Sequence, residues 1–551
     1  MKIVFAALNA KYIHINLALR SIGGYCRTFN PQICEYTVND DIDSIIASLH
    51  MKKADIIAFS CYIWNIEKVL YISRCLKKIN PSLKIILGGH EVSHDAENIM
   101  MQNPWIDFII RGEGEKPMHA LLSALAQGED TGDVGSLTYR EGERILSNPL
   151  SAQGSLNEYP FAYDESIREF QGKIVYYESS RGCPFNCSYC LSGDNRRVDF
   201  LELERVKKEL LFFIENGVPL VKFVDRTFNA DKKRAYEIWK FIIENSKSTC
   251  FHFELAGSLI DEDAIQLLKT APKGIIQFEI GVQSTNEKTI NAIGRTIEFE
   301  KVRDNVKKLL QTNNIHIHLD LIAGLPYENY DSFKKSFDEV MKIRPHVLQL
   351  GFLKLLKGSK LRNETEKYGY KYKEKSPYEI MENNFISFDE IIKLKFIEEL
   401  FERYYNSGDF NRSMGFLFDR EESAFGVFEK IYDYFTENFL FDRPLSLEMH
   451  YEMLEKIFDA EGFSDYVKAD RLTNKKAKLS YENEIKFKEE CFEFLKIKEN
   501  VEKYLPEYIL LPPRKIYTKI RFEKIFGGVY IYILSRNELI EITQDFKNRR
   551  N

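Results

Sequence analysis

No stretch of this sequence reaches the roughly 18 consecutive apolar residues that a membrane helix needs, so no membrane span is expected. The opening run MKIVFAALNAKYIH is short and lacks a cleavage-site pattern, so it reads as a first strand rather than a signal peptide. Charge of one sign is not in excess: the net value is -6, and nothing global points to nucleic acid or an anionic membrane. Cysteine is sparse, nine in 551 residues. Cys75, Cys250 and Cys491 stand alone in apolar segments and read as buried thiols. Low-complexity segments are missing, and no repeat stands out. A cytoplasmic globular protein of three to four domains, at about 100–200 residues each, is expected.

From Lys2 to about Gln127, short apolar runs (KIVFAAL, CEYTVND, DIIAFSCYI, KIILGG, DFIIRGE) alternate with helical patterns near 15–29, 41–53, 65–79, 93–102 and 114–126. That rhythm predicts an α/β domain over 1–130, a doubly wound parallel sheet whose ligand site lies beyond the strand carboxyl ends. Residues 131–172 read as a small hairpin, turning at Glu141-Gly142, and a linker with Gly154 and Pro160. Over 173–362 the alternation restarts with KIVYYESS, LVKFVD, FHFELAG, IIQFEIGV, IHIHLDLIAG and VLQLGFLKLL. Six such units predict a partial (β/α)6 barrel with its site at the strand C-terminal ends. Residues 363–551 read as mostly helical. There Phe425, Phe428, Tyr432, Phe435 and Phe439 recur at core spacing, and a terminal β-hairpin turns at Gly527-Gly528.

Three cysteines do cluster. Ser180-Arg181-Gly182-Cys183-Pro184-Phe185-Asn186-Cys187-Ser188-Tyr189-Cys190 follows the strand KIVYYESS directly. Thiolates spaced Cys-x3-Cys-x2-Cys can reach three irons of one cube, whereas an ordinary cluster takes four cysteines. No fourth cysteine lies nearby, which leaves one iron open to a small-molecule ligand. A zinc site would want a fourth Cys or His at short spacing, and none is present.

This motif, placed after the first barrel strand with Tyr189 before its last cysteine, resembles the radical S-adenosylmethionine (SAM) superfamily. The resemblance implies a 4Fe–4S cluster on Cys183, Cys187 and Cys190. It also implies SAM chelated by the open iron, cleavage to a 5′-deoxyadenosyl radical, and an external electron donor of the flavodoxin or ferredoxin type. The segments FHFE, FEIGVQS and HLDLIAGLP resemble strand ends of the branch that includes the coproporphyrinogen oxidase-like enzymes. Their matching positions are Glu254, Gln283, Arg295 and Asp320. Arg295 and Gln283 suit the SAM carboxylate, and Glu254 and Asp320 suit its amino group and hydroxyls. Glu279 sits beside them, and Tyr189 is expected against the adenine. Where many relatives have a Gly-Gly-Glu turn, this sequence has Val224-Asp225-Arg226-Thr227-Phe228-Asn229. Asp225 and Thr227 are the candidates there.

The front unit is similar to the cobalamin-binding, Rossmann-like domain of cobalamin-dependent radical SAM enzymes. Its candidate cobalamin contacts are Asn9, Tyr12, Ser60, Tyr62, Trp64, Gly88, Gly89, His90, Gly112 and Glu113. His14 has Tyr12 and Leu17 where a cobalt-ligating Asp-x-His-x-x-Gly would have Asp and Gly, so no protein histidine on cobalt is expected. The open ends of the two domains are expected to face one another. The resemblance implies methylation of an unactivated carbon by a methyl group carried on cobalt. Two alternatives stand beside it: a radical cyclisation or rearrangement with cobalamin as redox partner, and a radical SAM enzyme whose front domain is an inert platform. The substrate, a small molecule or peptide, is not written in the sequence. The aromatic-rich C-terminal part reads as core rather than base-stacking surface, against a nucleic-acid partner.

Overall fold

In the computed structural model, β1 (Ile3–Asn9), β2 (Gln32–Thr37), β3 (Ile56–Ser60), β4 (Lys84–Gly88) and β5 (Phe108–Ile110) form a parallel sheet in the order β2-β1-β3-β4-β5. The structure describes residues 1–551 except 164–166, 168–169, 194–196, 297, 478–484 and 549–551. Alternation along β1 explains the two-sided winding. Val4, Ala6 and Leu8 join one core with Ile45, Val69 and Leu76. Ile3, Phe5 and Ala7 join the opposite core with Leu19, Met118 and Leu121. The strand order reverses between β1 and β3, and such a switch point opens a crevice at the strand carboxyl ends. The hairpin β6 (Leu137–Glu141) and β7 (Arg144–Ser147) continues this sheet antiparallel, Phe108 facing Tyr139, instead of standing apart from it.

The barrel strands are β8 (Val175–Tyr177), β9 (Leu220–Phe223), β10 (Cys250–Leu255), β11 (Ile276–Gln283), β12 (His316–Ala323) and β13 (Val347–Phe352). They form one parallel six-stranded sheet in sequence order. Their apolar face packs under the helices: Trp239 of the helix Lys232–Asn245 meets Phe253 and Phe278. Their other face is polar and falls into rows. Tyr176, Lys222, His252, Gln277 and His316 are in register, then Glu254, Glu279 and His318, then Gly281, Asp320 and Gln349. Layering of this kind is how a barrel fills its interior.

The chain divides into two compact units, Met1–Ile391 and Ile392–Asn551. The second is helical and ends in the antiparallel sheet β14 (Ile520–Ile525), β15 (Gly528–Ile533) and β16 (Glu538–Glu541). Two details differ from the sequence expectation. The expected hairpin gains a third strand, and its turn lies at Phe526-Gly527, both with positive φ (54° and 71°). Phe425, Phe428 and Phe435 are buried, but Phe439 is 81% exposed because its helix stops at Glu437.

Candidate functional site

The cysteine loop is pinned from several sides. Ser179 Oγ and Ser180 Oγ donate to Asp225 at 2.6 and 2.7 Å, and the Ser179 amide donates at 2.7 Å. Gly182 takes φ +104°, and a Cβ there would lie 2.1 Å from the Arg197 carbonyl, so only glycine fits. The Ser188 amide donates to Ile293 O at 2.8 Å, and the Leu361 amide to Ser188 O at 2.8 Å.

Polar groups border the sulfurs. The Ser192 amide lies 3.4 Å from Cys190 Sγ, Thr227 Oγ1 lies 3.4 Å from Cys183 Sγ, and Arg295 Nη1 lies 3.7 Å from Cys187 Sγ. Burial pushes the Cys187 thiol up, and the Arg295 charge works against that. Among the described residues no three His, Cys, Asp or Glu side chains converge as a single-ion site.

Arg295 ties the loop to the barrel. Its Nη1 donates to the Tyr189 hydroxyl at 3.0 Å and its Nη2 to the Gly281 carbonyl at 2.6 Å. Gln283, at a register irregularity of β11, has φ 71°. Buried polar atoms without partners gather at these strand ends: Gln283 Oε1, Arg295 Nε and Asp320 Oδ1. A polar ligand such as SAM would satisfy them, so these residues fit that group.

The lumen carboxyls are unequal. Glu279 Oε2 lies 3.0 Å from His252 Nε2 and 3.0 Å from Lys222 Nζ. The His252 hydrogen bond, with Lys222, holds Glu279 down to about 2 against the opposing effect of burial. Burial, then repulsion from Glu279, raises Glu254. Burial, then Glu279 and Glu254, pushes Asp320 up to about 7. One firm negative charge thus disfavours ionisation of its neighbours. Sequence reasoning missed Lys222 and His252. The signal was there, because LVKF and FHFE alternate polar with apolar.

Two expected SAM positions are placed differently from the others. Asp225 is 1% exposed and its oxygens are engaged by Ser179 and Ser180, so it braces the cysteine loop from behind. Thr227 Oγ1 lies between the Arg226 carbonyl, at 2.9 Å, and Cys183.

On the front domain, Asn9, Ser60, Tyr62, Trp64, Gly88, Gly89, His90, Gly112 and Glu113 line one cavity of about 980 Å³. From the barrel side Tyr176, Glu178, Ser180, Arg181, Gly182, Ser192, Val224 and Arg226 line the same cavity, so the two open ends do face each other. Asn65 Nδ2 binds Leu8 O and Ser60 O, both at 3.0 Å, and holds the ends of β1 and β3 together. Tyr62 and Trp64 stack with centroids 4.4 Å apart at 5°. A Cβ on Gly112 would meet nothing within 4 Å, and one on Gly88 nothing nearer than 3.8 Å, so that wall is an open backbone cradle. It fits a large flat group such as a corrin. Tyr12 is the exception: it is 74% exposed, does not line the cavity, and lies under Lys173 Nζ at 4.7 Å. His14 Nδ1 is paired with the Tyr176 hydroxyl at 2.6 Å.

Three family models match this chain. The B12 binding domain matches residues 3–122, the Radical SAM superfamily residues 177–340, and a protein of unknown function, DUF4080, residues 366–541. The chain is 26% identical over 320 residues to 2-(S-pantetheinyl)-carbapenam-3-carboxylate methyltransferase of Streptantibioticus cattleyicolor, covering 53% of this chain and 45% of that one. It is 25% identical over 425 residues to the cobalamin-dependent radical SAM methyltransferase TokK of Streptomyces tokunonensis, covering 69% and 61%. The chain therefore spans about half of the first relative and 61% of the second. In fold it resembles the cobalamin-dependent S-adenosylmethionine radical enzyme OxsB, with TM-score 0.61 and 14% identity over 86% of this chain and 72% of that one. It also resembles the radical S-adenosylmethionine methyltransferase TsrM of Kitasatospora setae, with TM-score 0.54 and 15% identity over 66% and 76%. The matched domains imply a 4Fe–4S cluster, SAM and cobalamin as cofactors. Among the described residues no helix is long and apolar enough to cross a membrane. The chain thus carries a B12 binding domain ahead of a radical SAM domain, with cobalamin-dependent radical SAM enzymes among its relatives.

Proposed function

We propose that this chain is a cobalamin-dependent radical SAM methyltransferase that acts on an unactivated carbon of a small molecule or peptide. Its setting is the cytoplasm, which suits nine free cysteines, and a flavodoxin- or ferredoxin-type donor supplies its electrons. The observation that supports this most is one cavity lined both by the front-domain strand ends and by residues that flank the cysteine motif, Ser180, Arg181, Gly182 and Ser192. Together the bound groups supply a radical that takes a hydrogen atom and a metal centre that carries a methyl group.

The residues divide the remaining tasks. Cys183, Cys187 and Cys190 hold the cluster. Arg295 and Gln283 hold the SAM carboxylate, and Glu254, Glu279 and Asp320 accept from its amino and hydroxyl groups. Tyr189, fixed by Arg295, lines the adenine, and Thr227 borders the cluster beside Cys183. Asn9, Ser60, Gly88, Gly89, His90, Gly112 and Glu113 cradle the corrin, with the Tyr62–Trp64 stack at its face.

The test is anaerobic reconstitution with iron, sulfide and hydroxocobalamin, desalting, and incubation with methyl-deuterated SAM and a reductant. Retention of about one corrin per chain and label found on it are expected. Retention of corrin without label would favour cobalamin as a redox partner in a rearrangement. A protein that keeps a cluster but no corrin would leave the front domain as an inert platform.

A further inference from the structure

Arg226 stands in the turn after β9, between Asp225, which braces the cysteine loop, and Thr227, which touches Cys183. It is exposed, and it lines the shared cavity. Its charge acts in two directions. On the front domain it adds to the burial that lowers His90 and opposes the burial that raises Tyr62, and inside the barrel it opposes the burial that raises Glu254.

The other described cations of that cavity are taken. Arg181 is paired with Glu178 and Glu115, and Lys116 with Glu158. Arg111 donates to the Asn148 carbonyl, and Arg197 has a partner of its own. Among the described residues that line the cavity, Arg226 is the one Arg or Lys whose side chain makes no hydrogen bond or ion pair. Filling the cavity with cofactors and substrate removes water from this guanidinium. A charge desolvated without a counter-ion costs several kcal/mol, so what enters must bring an anion to it.

We propose that Arg226 is the specificity-determining residue for substrate, and that the substrate carries a carboxylate or phosphate group held by this guanidinium. The inference rests on the function proposed above and adds the substrate class to it. The cofactors do not account for Arg226 equally well. The SAM carboxylate has Arg295 and Gln283 at the end of β11, where the unpartnered buried atoms lie. A corrin ring carries amides rather than acids around its rim. A guanidinium on the barrel-side wall of the shared cavity is placed for the third component, and its fork matches two oxygens at once.

The test uses full-length protein loaded with cluster, SAM and cob(II)alamin, whose unpaired electron broadens the signals of nearby nuclei. Phenyl phosphate is followed by its 31P linewidth and phenylacetate by its 13C-carboxyl linewidth. Saturable broadening of at least one probe is expected, and which of them binds decides between phosphate and carboxylate. Arg226→Gln should weaken that probe about 10-fold or more, while Arg226→Lys keeps part of the affinity. SAM and corrin affinity should be unchanged in both variants. Equal probe binding in Arg226→Gln, or no saturable broadening by either probe in the wild type, overturns the assignment and leaves the methyltransferase reading intact. Weaker SAM or corrin binding in Arg226→Gln also overturns it, by making Arg226 a cofactor ligand. A wild-type protein that retains no corrin removes both readings together.

Discussion

Arg181, two residues before the first cysteine of the motif, reaches Glu115 of the front domain with Nη2 to Oε1 at 2.9 Å. The same guanidinium meets Glu178 at 2.8 Å and Glu113 at 3.5 Å. Burial alone would raise the Glu115 carboxyl, and Arg181, helped by a backbone amide and the Ser21 hydroxyl, more than offsets that and holds it below the usual carboxylate range. One cation therefore joins the loop beyond β5 to the end of β8, the two sides of the shared cavity.

Removing that cation leaves Glu115, whose side chain is 5% exposed, without its counter-charge. Arg181→Met should cost roughly 3 kcal/mol in urea unfolding, and Glu115→Leu added to it should recover part of the loss. Corrin uptake should fall in Arg181→Met because Glu113 lines the cradle. Stability equal to wild type in the single variant would show that the clamp contributes nothing.

Gly88 and Gly89 should behave differently although they are adjacent. Gly89 has φ +112°, and a Cβ there would sit 2.5 Å from the Cys61 carbonyl. Gly89→Ala should therefore lower stability by about 1–3 kcal/mol whatever is bound. Gly88 has no such constraint and opens on the cavity. Gly88→Val should leave thermal unfolding of the corrin-free protein close to wild type and reduce hydroxocobalamin uptake. Full uptake by Gly88→Val would move the corrin away from this wall.

The strand–helix rhythm of both α/β regions was legible because each strand is a short apolar run between turn residues. The cysteine motif was legible because its spacing is local. The cooperation of Lys222, His252 and Glu279 was harder to read, because it depends on register across β9, β10 and β11, which no single segment encodes. Tyr12 was misplaced for a related reason. Its neighbours lie at a strand end, but its own side chain turns outward against Lys173, and sequence spacing does not fix loop orientation. Phe439 carried the helical spacing one turn too far, past the end of its helix at Glu437.

Arg295 offers a test of the cluster that does not depend on substrate. Its Nη1 lies 3.7 Å from Cys187 Sγ, and a donor and positive charge beside a cluster sulfur favour the reduced state. Arg295→Leu should keep the iron content but shift the cluster potential to a more negative value, and SAM affinity should fall about 10-fold or more. Cys187→Ala should lose the cluster. An unchanged potential and unchanged SAM affinity in Arg295→Leu would reduce that residue to a packing role.

Glu328 makes stability depend on pH. It is fully buried, its Oε1 accepts from Ser284 Oγ at 2.6 Å and Ser336 Oγ at 3.0 Å, and its Oε2 has no partner. Ser336 also receives the Thr285 amide at 3.1 Å, so this carboxyl joins the turn that follows Gln283 to the helix Tyr330–Met341. Burial, against the two serine hydrogen bonds, pushes Glu328 up to about 7. In the unfolded chain it titrates near the ordinary glutamate value, so between that value and about 7 the folded protein holds a proton that the unfolded chain has lost. Stability from this group is therefore complete at low pH and declines as pH rises through about 7, by on the order of 3 kcal/mol in total. Glu328→Gln keeps the shape without the ionisation, so its urea midpoint should fall less than that of wild type between about pH 5 and 8. The gap between the two proteins should widen toward the alkaline side. If both lose stability with the same slope, Glu328 does not titrate in this range and the turn after Gln283 is held by other means.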